Sequence, residues 1–522
     1  MTPAGDFSPA AASAAKAMRD ERRLKSIAIV GGGTAGWVAG SILARALHDF
    51  GCAITVIESP QIGTVGVGEA TIPPFIELLR FLDINEADFV RQTQSTFKLG
   101  IKFHDWRKVG SSYWHPFGTF GVNINRRAFF QAWLKAKAEG FEPRFNDYSL
   151  CAALGDAGKF MFPKPGDPGP AGGLRYALHF DAGLVARYLR GYAERLGVTR
   201  LERTVASATQ RADGFIDELV FSDHSRLKAD LYIDCSGFGG VLIEKVLKTG
   251  YLDWSDVLPC DRAVAVQTHS AVARPPYTQA FARPAGWRWR IPLQHRAGNG
   301  YVYSSQFISD EAASDDLLAQ VAEPTLTEPR LLRFVTGRRK LFWNRNCVTL
   351  GLASGFLEPL ESTSIHLVMS GVYNLLDHFP DRDFEPSNTQ AYNDDLIEEM
   401  EHIRDFIILH YCATQRDDTP LWRYCQAMTL PESLRRRIAA YRLNGRIPNR
   451  PGELFTAPSW FYVYEGLGVT PQRYDPLIDV VKPGQLRDIL SALARDNAQV
   501  LARAPSHDSF FGEAGGGENA RP

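Results

Sequence analysis

The segment "FLEPLESTSIHLVMSGVYNLL", residues 356–376, places a carboxylate directly before a predicted helix start. Ser362, Thr363 and Ser364 follow Glu361 and are natural helix caps, and an apolar stripe at helical spacing comes after them. The free N–H groups and dipole of a helix start form an anion site. A carboxylate beside such a site indicates that a proton or a developing cation passes through. Glu361 could instead only complement the helix dipole, and the residues alone favour that alternative.

A second reactive side chain, Lys98, lies in the alternating segment "STFKLGIKFHDW". The apolar residues of this segment share one face, and Lys98 lies on the polar face, which predicts a solvated lysine. A lysine enclosed by protein would instead have its ammonium form disfavoured, and it would act as a hydrogen-bond donor or a nucleophile.

A dinucleotide-binding pattern opens the chain. In "LKSIAIVGGGTAGWVAGSILARAL" an apolar strand runs into Gly31, Gly33 and Gly36, a helix follows, and a second strand, "AITVIES", ends at Glu58. The glycines let backbone N–H groups approach a pyrophosphate, and the acid accepts hydrogen bonds from the adenosine ribose. The alternative is a glycine turn in an ordinary βαβ unit.

Two later segments, "ADLYIDCSGFGG" (229–240) and "NRNCVTLGLASGFLEPLEST" (344–363), also run from a strand into a glycine-rich turn. Three such turns far apart in sequence suit a long cofactor held by discontinuous segments, which favours FAD over NAD. The predicted fold class is therefore α/β, an FAD-binding, Rossmann-like fold of the monooxygenase type with an inserted β-sheet and a helical C-terminal substrate region.

Composition excludes several functional classes. The 522 residues are 45% hydrophobic and 22% charged with a net charge of −1, so we expect no nucleic-acid partner and no attraction to a membrane surface. No apolar run reaches the length of a membrane span. The seven cysteines are scattered, which argues against a disulfide framework or a metal site and fits a cytoplasmic protein.

The chain is divided by pattern into a core module and peripheral segments. We predict a disordered leader at 1–24 and a disordered tail at 505–522. The FAD-binding module is expected to be discontinuous, and a sheet-containing substrate insertion separates its parts. The predicted ranges are 25–115, 176–260 and 341–380 for the module, 116–175 and 261–340 for the insertion, and 381–504 for the helical C-terminal region.

Seven motifs occur in one order over residues 27–370: "GGGTAGW", "GVGEATIP", "STFKLGIKF", "HFDAGLVA", "DCSG", "GWRWRIP" and "FLEPLEST". Together they resemble the FAD-dependent tryptophan halogenase family, for which the Trp-x-Trp-x-Ile-Pro stretch is highly specific. The resemblance implies that FAD is bound by the first glycine turn and by two further segments. The implied cofactor-binding residues are Gly31, Gly33, Thr34, Ala35, Gly36, Glu58, Gly66, Gly68, Glu69, Ala70, Gly351 and Leu352.

The same resemblance implies a reaction. Reduced FAD, supplied by a separate NAD(P)H-dependent flavin reductase, and dioxygen would oxidise a halide, chloride or bromide, bound at Thr363 and Ser364. The hypohalous acid would pass through a tunnel to Lys98, which would hold it by a hydrogen bond or as a haloamine. Glu361 would stabilise the cationic arenium intermediate or take its proton, and Ser362 would assist.

The resemblance also gives roles to four aromatic residues. Trp287 and Trp289 would stand beside the tunnel and keep the organic substrate away from the flavin, although two tryptophans on one strand could also simply pack a sheet against a helix. His115 and Phe117, in "YWHPFG", would line the aromatic substrate pocket. A homodimer is an expectation from the family alone.

This chain departs from the family in the substrate region. Tryptophan-specific members have a longer insertion that clamps the ammonium and carboxylate of the amino acid, whereas residues 441–463 are shorter and contain one acid, Glu453. We therefore expect indole, or an indole derivative without the amino-acid head, as substrate. Ser364 also stands where many relatives have glycine, which leaves the preference for chloride or bromide open.

Three alternatives are compatible with these residues. The protein could be a tryptophan halogenase. It could be an FAD-dependent aromatic hydroxylase, which would not need Lys98, Glu361 or the tryptophans and should have an aspartate where this chain has "GLASGF". It could also be a flavin-binding protein without turnover.

Overall fold

A computed structural model describes residues 21–61, 69–271, 273–448 and 450–511. Its central layer is a six-stranded sheet in which five strands are parallel and the edge strand Trp343–Asn344 is antiparallel. The order across the sheet is Trp343–Asn344, Cys347–Thr349, Leu231–Asp234, Ser26–Val30, Ala53–Glu58 and Thr199–Glu202. These strands come from all three segments predicted for the FAD-binding module, and the sheet confirms the predicted fold class.

The strand Ser26–Val30 occupies an inner position of this sheet, and four of its five residues are buried because sheet neighbours flank both edges and helices cover the sheet. The helix Thr34–Ala46 follows three residues later and packs against the helices Ala182–Arg195 and Ser364–Asp377. Asp181 caps the second of these by accepting hydrogen bonds from the N–H groups of Gly183 and Leu184.

A seven-stranded sheet forms the second layer and contains the tryptophan-rich strand Gly286–Pro292. Its order is Arg330–Arg333, Arg262–His269, Arg296–Tyr303, Gly286–Pro292, Thr278–Arg283, Gly100–His104 and Ser112–Pro116. The last two strands fall within residues 25–115 except for Pro116, so this sheet draws on the segment predicted for the FAD-binding module as well as on the predicted insertion.

Lys98 belongs to a separate three-stranded sheet made of Glu69–Ala70, Ala177–Phe180 and Thr96–Lys98. The alternating segment is therefore not one strand. It breaks after Lys98, and Gly100 opens the next strand with a φ of 156° and its backbone against that of His115, where a Cβ atom would lie 2.6 Å from the His115 carbonyl oxygen. The break turns Lys98 into the protein, and the prediction of a solvated lysine is wrong.

The remaining strands form two small sheets, Val205–Gln210, Ile216–Phe221 and Arg226–Lys228, and Tyr251–Asp253, Gly337–Arg339 and Gly355–Phe356. The other α-helices surround the sheets and make up most of the C-terminal third. They are Pro74–Phe81, Glu86–Gln92, Phe129–Ala138, Leu150–Asp156, Asp310–Gln320, Pro386–Cys412, Pro420–Ala427, Glu432–Asn444, Ala457–Leu467 and Pro483–Arg503.

Residues 505–511, assigned from sequence to a disordered tail, form a packed segment. The buried His507 lies against strand Thr96–Lys98, where its Nε2 accepts the N–H of Phe97 at 3.2 Å and its Nδ1 donates to the carbonyl of Arg274 at 2.6 Å. Phe510 and Phe511 join the aromatic cluster around Phe97. Residues 1–20 and 512–522 lie outside the described residues.

Across the described ranges, no helix combines the length and apolarity needed to cross a membrane.

Candidate active site

A cavity of about 390 Å³ runs from the first glycine turn to the start of helix Ser364–Asp377. Its walls include Gly31, Gly33, Thr34, Ala35, Glu58, Glu69, Ala70, Gly351, Leu352, Ser362 and Ser364. The fold thus brings together residues that are up to 333 positions apart, and nearly all of the residues predicted to bind cofactor line one space. Gly66 and Gly68 lie outside the described residues.

The glycine turn has the tight backbone that a pyrophosphate site needs. A Cβ atom at Gly36 would lie 1.8 Å from the carbonyl oxygen of Gly31, so only glycine lets the turn close; Gly36 therefore serves packing and does not line the cavity. Helix Thr34–Ala46 starts after Gly33 without a side-chain cap, which leaves its first N–H groups available to a ligand. These features fit the pyrophosphate of FAD.

The acid predicted for the ribose also lies in this cavity. Glu58 rests against Gly32, and its Oε2 accepts a hydrogen bond from Arg200 Nε at 2.8 Å, which fixes the carboxylate at the cavity wall. Arg203 and Thr204 line the same end. Sequence reasoning missed Arg200, Arg203 and Thr204 because they lie in or directly after the strand Thr199–Glu202, which carries no glycine signature.

The helix start Ser364–Asp377 forms the other end of the cavity. No side chain caps this helix, so the predicted capping by the hydroxyls is wrong. Ser364 lines the cavity, and Thr363 is buried directly before it. An uncapped helix start that opens into a cavity retains the N–H groups and the partial positive charge that suit an anion.

Ser362 connects this cavity to Lys98. It is a non-glycine residue with a left-handed backbone, φ 59°, at the end of the short helix Pro359–Glu361. The turn places Ser362 on the cavity wall while its Oγ accepts a hydrogen bond from Lys98 Nζ at 2.8 Å. Lys98 thus lies directly behind the cavity.

The environment of Lys98 favours a neutral amine. Its side chain is fully buried, and burial lowers the pKa of Lys98 from 10.5 to about 7, although the charge of Glu361 opposes the change. Nζ donates to Ser362 Oγ and, at 2.9 Å, to the carbonyl oxygen of Thr71. A neutral amine has two N–H groups, so these two bonds use both and leave its lone pair free.

Glu361 lies between two imidazole rings. Its Oε2 is 2.7 Å from His115 Nδ1, its Oε1 is 2.9 Å from His410 Nε2, and all three side chains are buried. Burial alone would raise the pKa of this carboxyl group, but the neighbouring His115 and His410 outweigh burial and lower the pKa of Glu361 to about 2. Glu361 is therefore a carboxylate, and His410 is a partner that the sequence did not indicate.

Trp287 and Trp289 lie on one face of the strand Gly286–Pro292 but have different surroundings. Trp289 lines the cavity, and its Nε1 has no hydrogen-bond partner among the described residues. Trp287 lies deeper and donates from Nε1 to Glu358 Oε2 at 2.5 Å. Tyr411 donates to the same oxygen at 2.6 Å, yet burial still raises the pKa of Glu358 to about 7.

Aromatic rings lie close to Lys98 and to His115, the partner of Glu361. The ring of Phe117 is 5.3 Å from Lys98 Nζ, and His115 lies 5.4 Å from Phe406 and 5.9 Å from Phe455. Phe455 and Phe406 stack at 3.9 Å. The fold therefore brings the predicted pair His115 and Phe117 to the predicted Lys98, Glu361 and Ser362.

Comparison with known proteins decides the family. The family model described as tryptophan halogenase matches residues 26–483. The chain belongs to the tryptophan halogenase family. It is 33% identical over 526 residues to the tryptophan 6-halogenase SttH of Streptomyces toxytricini, covering 95% of this chain and 99% of SttH.

Solved halogenase structures share the fold of this family member. Xcc4156, a flavin-dependent halogenase from Xanthomonas campestris, is 44% identical with a TM-score of 0.90, covering 94% of this chain and 98% of Xcc4156. BrvH, a flavin-dependent halogenase from Brevundimonas sp. BAL3, is 43% identical with a TM-score of 0.90, covering 94% and 99%. This tryptophan halogenase family member is therefore an FAD-dependent enzyme with reduced FAD, dioxygen and halide as co-substrates. Like other flavin-dependent halogenases, it needs a separate flavin reductase.

Proposed function

We propose that this halogenase acts on indole or on an indole derivative without a free amino-acid head. The proposal rests on the ion pairing of Glu453, the one acid of residues 441–463. Arg437 forms an ion pair with the Glu453 carboxylate, which is nearly fully buried, and His402 lies 3.8 Å away. Glu453 is thus not available to the ammonium group of free tryptophan.

The two charges of free tryptophan explain why the pairing of Glu453 bears on the choice of substrate. A free amino acid carries two charges, and burying either one without a partner costs several kcal/mol. Glu465, the next acid along the chain, is likewise paired, because Lys137 donates a hydrogen bond to it at 2.5 Å. An uncharged indole needs only the aromatic walls supplied by rings such as Phe117 and Phe406.

We assign the amine of Lys98 to the halogen-transfer step. When bound, reduced FAD supplies with dioxygen the two-electron oxidation that converts halide into hypohalous acid. The free lone pair of neutral Lys98 takes the halogen, and one N–H hydrogen leaves with the hydroxyl group as water. Thr71 and Ser362 orient the nitrogen through their hydrogen bonds.

Glu361 acts on the substrate ring. As the halogen leaves Lys98 for a ring carbon, the ring becomes cationic, and a carboxylate stabilises that charge in a site closed to water. Glu361 then accepts the ring proton as general base. Thr363 and Ser364 hold halide at the helix start, and Trp289 separates the cavity from the aromatic pocket, with Trp287 behind it.

The direct test offers indole and L-tryptophan separately to the purified enzyme with FAD, NADH, a flavin reductase and bromide. The proposal expects bromoindole and no bromotryptophan, identified by mass. Bromotryptophan as the preferred product would overturn the substrate assignment, and hydroxyindole would favour the hydroxylase.

A further inference from the structure

The contact between Glu361 and His410 depends on which nitrogen of His410 carries a hydrogen. His410 Nδ1 lies 2.9 Å from the carbonyl oxygen of Phe406, one helical turn earlier. A carbonyl oxygen only accepts, so Nδ1 carries a hydrogen. In the neutral ring the lone pair is therefore on Nε2, which faces Glu361 Oε1 at 2.9 Å.

A neutral His410 and an ionised Glu361 thus place two acceptor atoms against each other. Neither atom has another hydrogen-bond partner among the described residues, and neither side chain is exposed to water. One proton between the two atoms converts this repulsive contact into an ion pair. The lone pair of His410 Nε2 is therefore open to a proton that arrives through Glu361 Oε1.

The contact between His115 and Glu361 differs from the contact between His410 and Glu361. A neutral His115 can donate its Nδ1 hydrogen to Glu361 Oε2 at 2.7 Å and so leaves that contact satisfied without an added proton. The other ionisable groups near His410 are Tyr113 from the strand Ser112–Pro116 and Glu358, which Trp287 and Tyr411 already hold. Oε1 is thus the side of Glu361 with capacity for a proton.

We propose that His410 holds the substrate proton through Glu361, so that the two side chains work as one base. The inference rests on the proposed function of Glu361. The C–H bond of the halogenated ring breaks, its electron pair restores the aromatic system, and the proton passes to Glu361 and then to His410 Nε2. Because Nδ1 is bonded to Phe406, the proton leaves only by the way it came.

The proton finally returns through Glu361 to the nitrogen of Lys98, which gave up one hydrogen when it took the halogen. The overall reaction is then one hypohalous acid and one aromatic C–H converted into one aromatic carbon–halogen bond and one water. His410 acts through Glu361 and is a positioning residue that also stores the proton.

Two variants separate proton storage from simple positioning. His410→Phe removes both nitrogens and keeps a flat ring. His410→Gln offers an amide that can donate to Glu361 but cannot take a proton. Bromination of ordinary and ring-deuterated indole is compared in the wild type and both variants, with His378→Gln, which removes a histidine bonded to Asn388 and Asp395 at the far end of helix Ser364–Asp377, as the control.

Both His410 variants are expected to brominate at least about tenfold more slowly, with FAD reoxidation unchanged, because a single acid–base group contributes about 100-fold or more. They should also show a larger deuterium isotope effect than the wild type, since loss of the ring proton then limits the rate. A merely structural defect would not produce that isotope effect.

Wild-type rates in His410→Gln, or slow variants without a larger isotope effect, would overturn the inference. If the wild type brominates tryptophan and not indole, the substrate proposal fails and the same comparison is made with ring-deuterated tryptophan. The two failures are therefore distinguishable.

Discussion

Replacing Lys98 with methionine tests the buried amine at the centre of the site. The fall in the pKa of Lys98 from 10.5 to about 7 means that folding disfavours the ammonium form. At about 1.4 kcal/mol for each tenfold change in proton affinity, the protein carries a cost of roughly 5 kcal/mol below pH 7. Between pH 7 and pH 10.5 the unfolded chain binds the proton and the folded chain does not, so stability rises with pH.

Methionine has a similar length and no charge, so Lys98→Met removes this cost at pH 7. It also removes the hydrogen bonds to Thr71 and Ser362, which contribute about 1 kcal/mol each. The variant is expected to be more stable than the wild type by about 2 to 3 kcal/mol at pH 7 and to lose that advantage by pH 9, because the wild type gains about 1.4 kcal/mol per pH unit over this window. It should form no halogenated product and still reoxidise reduced FAD.

The assay is urea unfolding of both proteins at pH 6, 7, 8 and 9, with the difference in unfolding free energy plotted against pH. A difference that stays constant across this range would show that Lys98 has the same protonation state in the folded and unfolded chains and would refute the reasoning. A Lys98→Arg variant, which keeps a permanent charge, should be destabilised at every pH.

Three further changes test other parts of the site. Glu361→Gln should lower halogenation by about 100-fold or more without affecting FAD reoxidation, and near-normal product formation would remove its role as base. Gly36→Ala should abolish tight FAD binding, measured by flavin fluorescence, because the added Cβ would lie 1.8 Å from a carbonyl oxygen of the glycine turn. Gly484→Ala is the control, because a Cβ atom at Gly484 would have nothing within 4 Å. Equal FAD affinity in both variants would contradict the assignment of the glycine turn to FAD binding. His507→Ala should lower the unfolding free energy by about 1 to 3 kcal/mol, because a buried N–H beside Lys98 loses its acceptor, and an unchanged denaturation midpoint would show that the C-terminal segment does not hold this strand.

Local signals in the sequence predicted local structure well. The glycines from Gly31 to Gly36 form a turn because backbone approach leaves no space for side chains, and such a constraint is visible in the residues themselves. The helix after Ser364 was predicted from its apolar stripe. The recurring strand-to-glycine turns predicted the FAD-binding, Rossmann-like fold, and the mostly parallel six-stranded sheet fits it.

The contacts that set the chemistry were not predictable in this way. Alternation suggested an exposed Lys98, but the break at Gly100 turns it inward, and its partner Ser362 is 264 residues away. His410 belongs to a long helix whose pattern gives no sign of a reactive group, and only tertiary packing brings it to Glu361. Contacts between such distant residues depend on the whole fold. The motif resemblance implied roles for Lys98 and Glu361, but it did not indicate which residues contact them.

The mass of the product formed from equal amounts of indole and L-tryptophan, with bromide and a flavin reductase present, tests the central claim most directly. The account predicts bromoindole in clear excess, because Arg437 already occupies Glu453, the one acid of residues 441–463. Bromotryptophan in excess would show that the site does find partners for the amino-acid charges and would contradict the account.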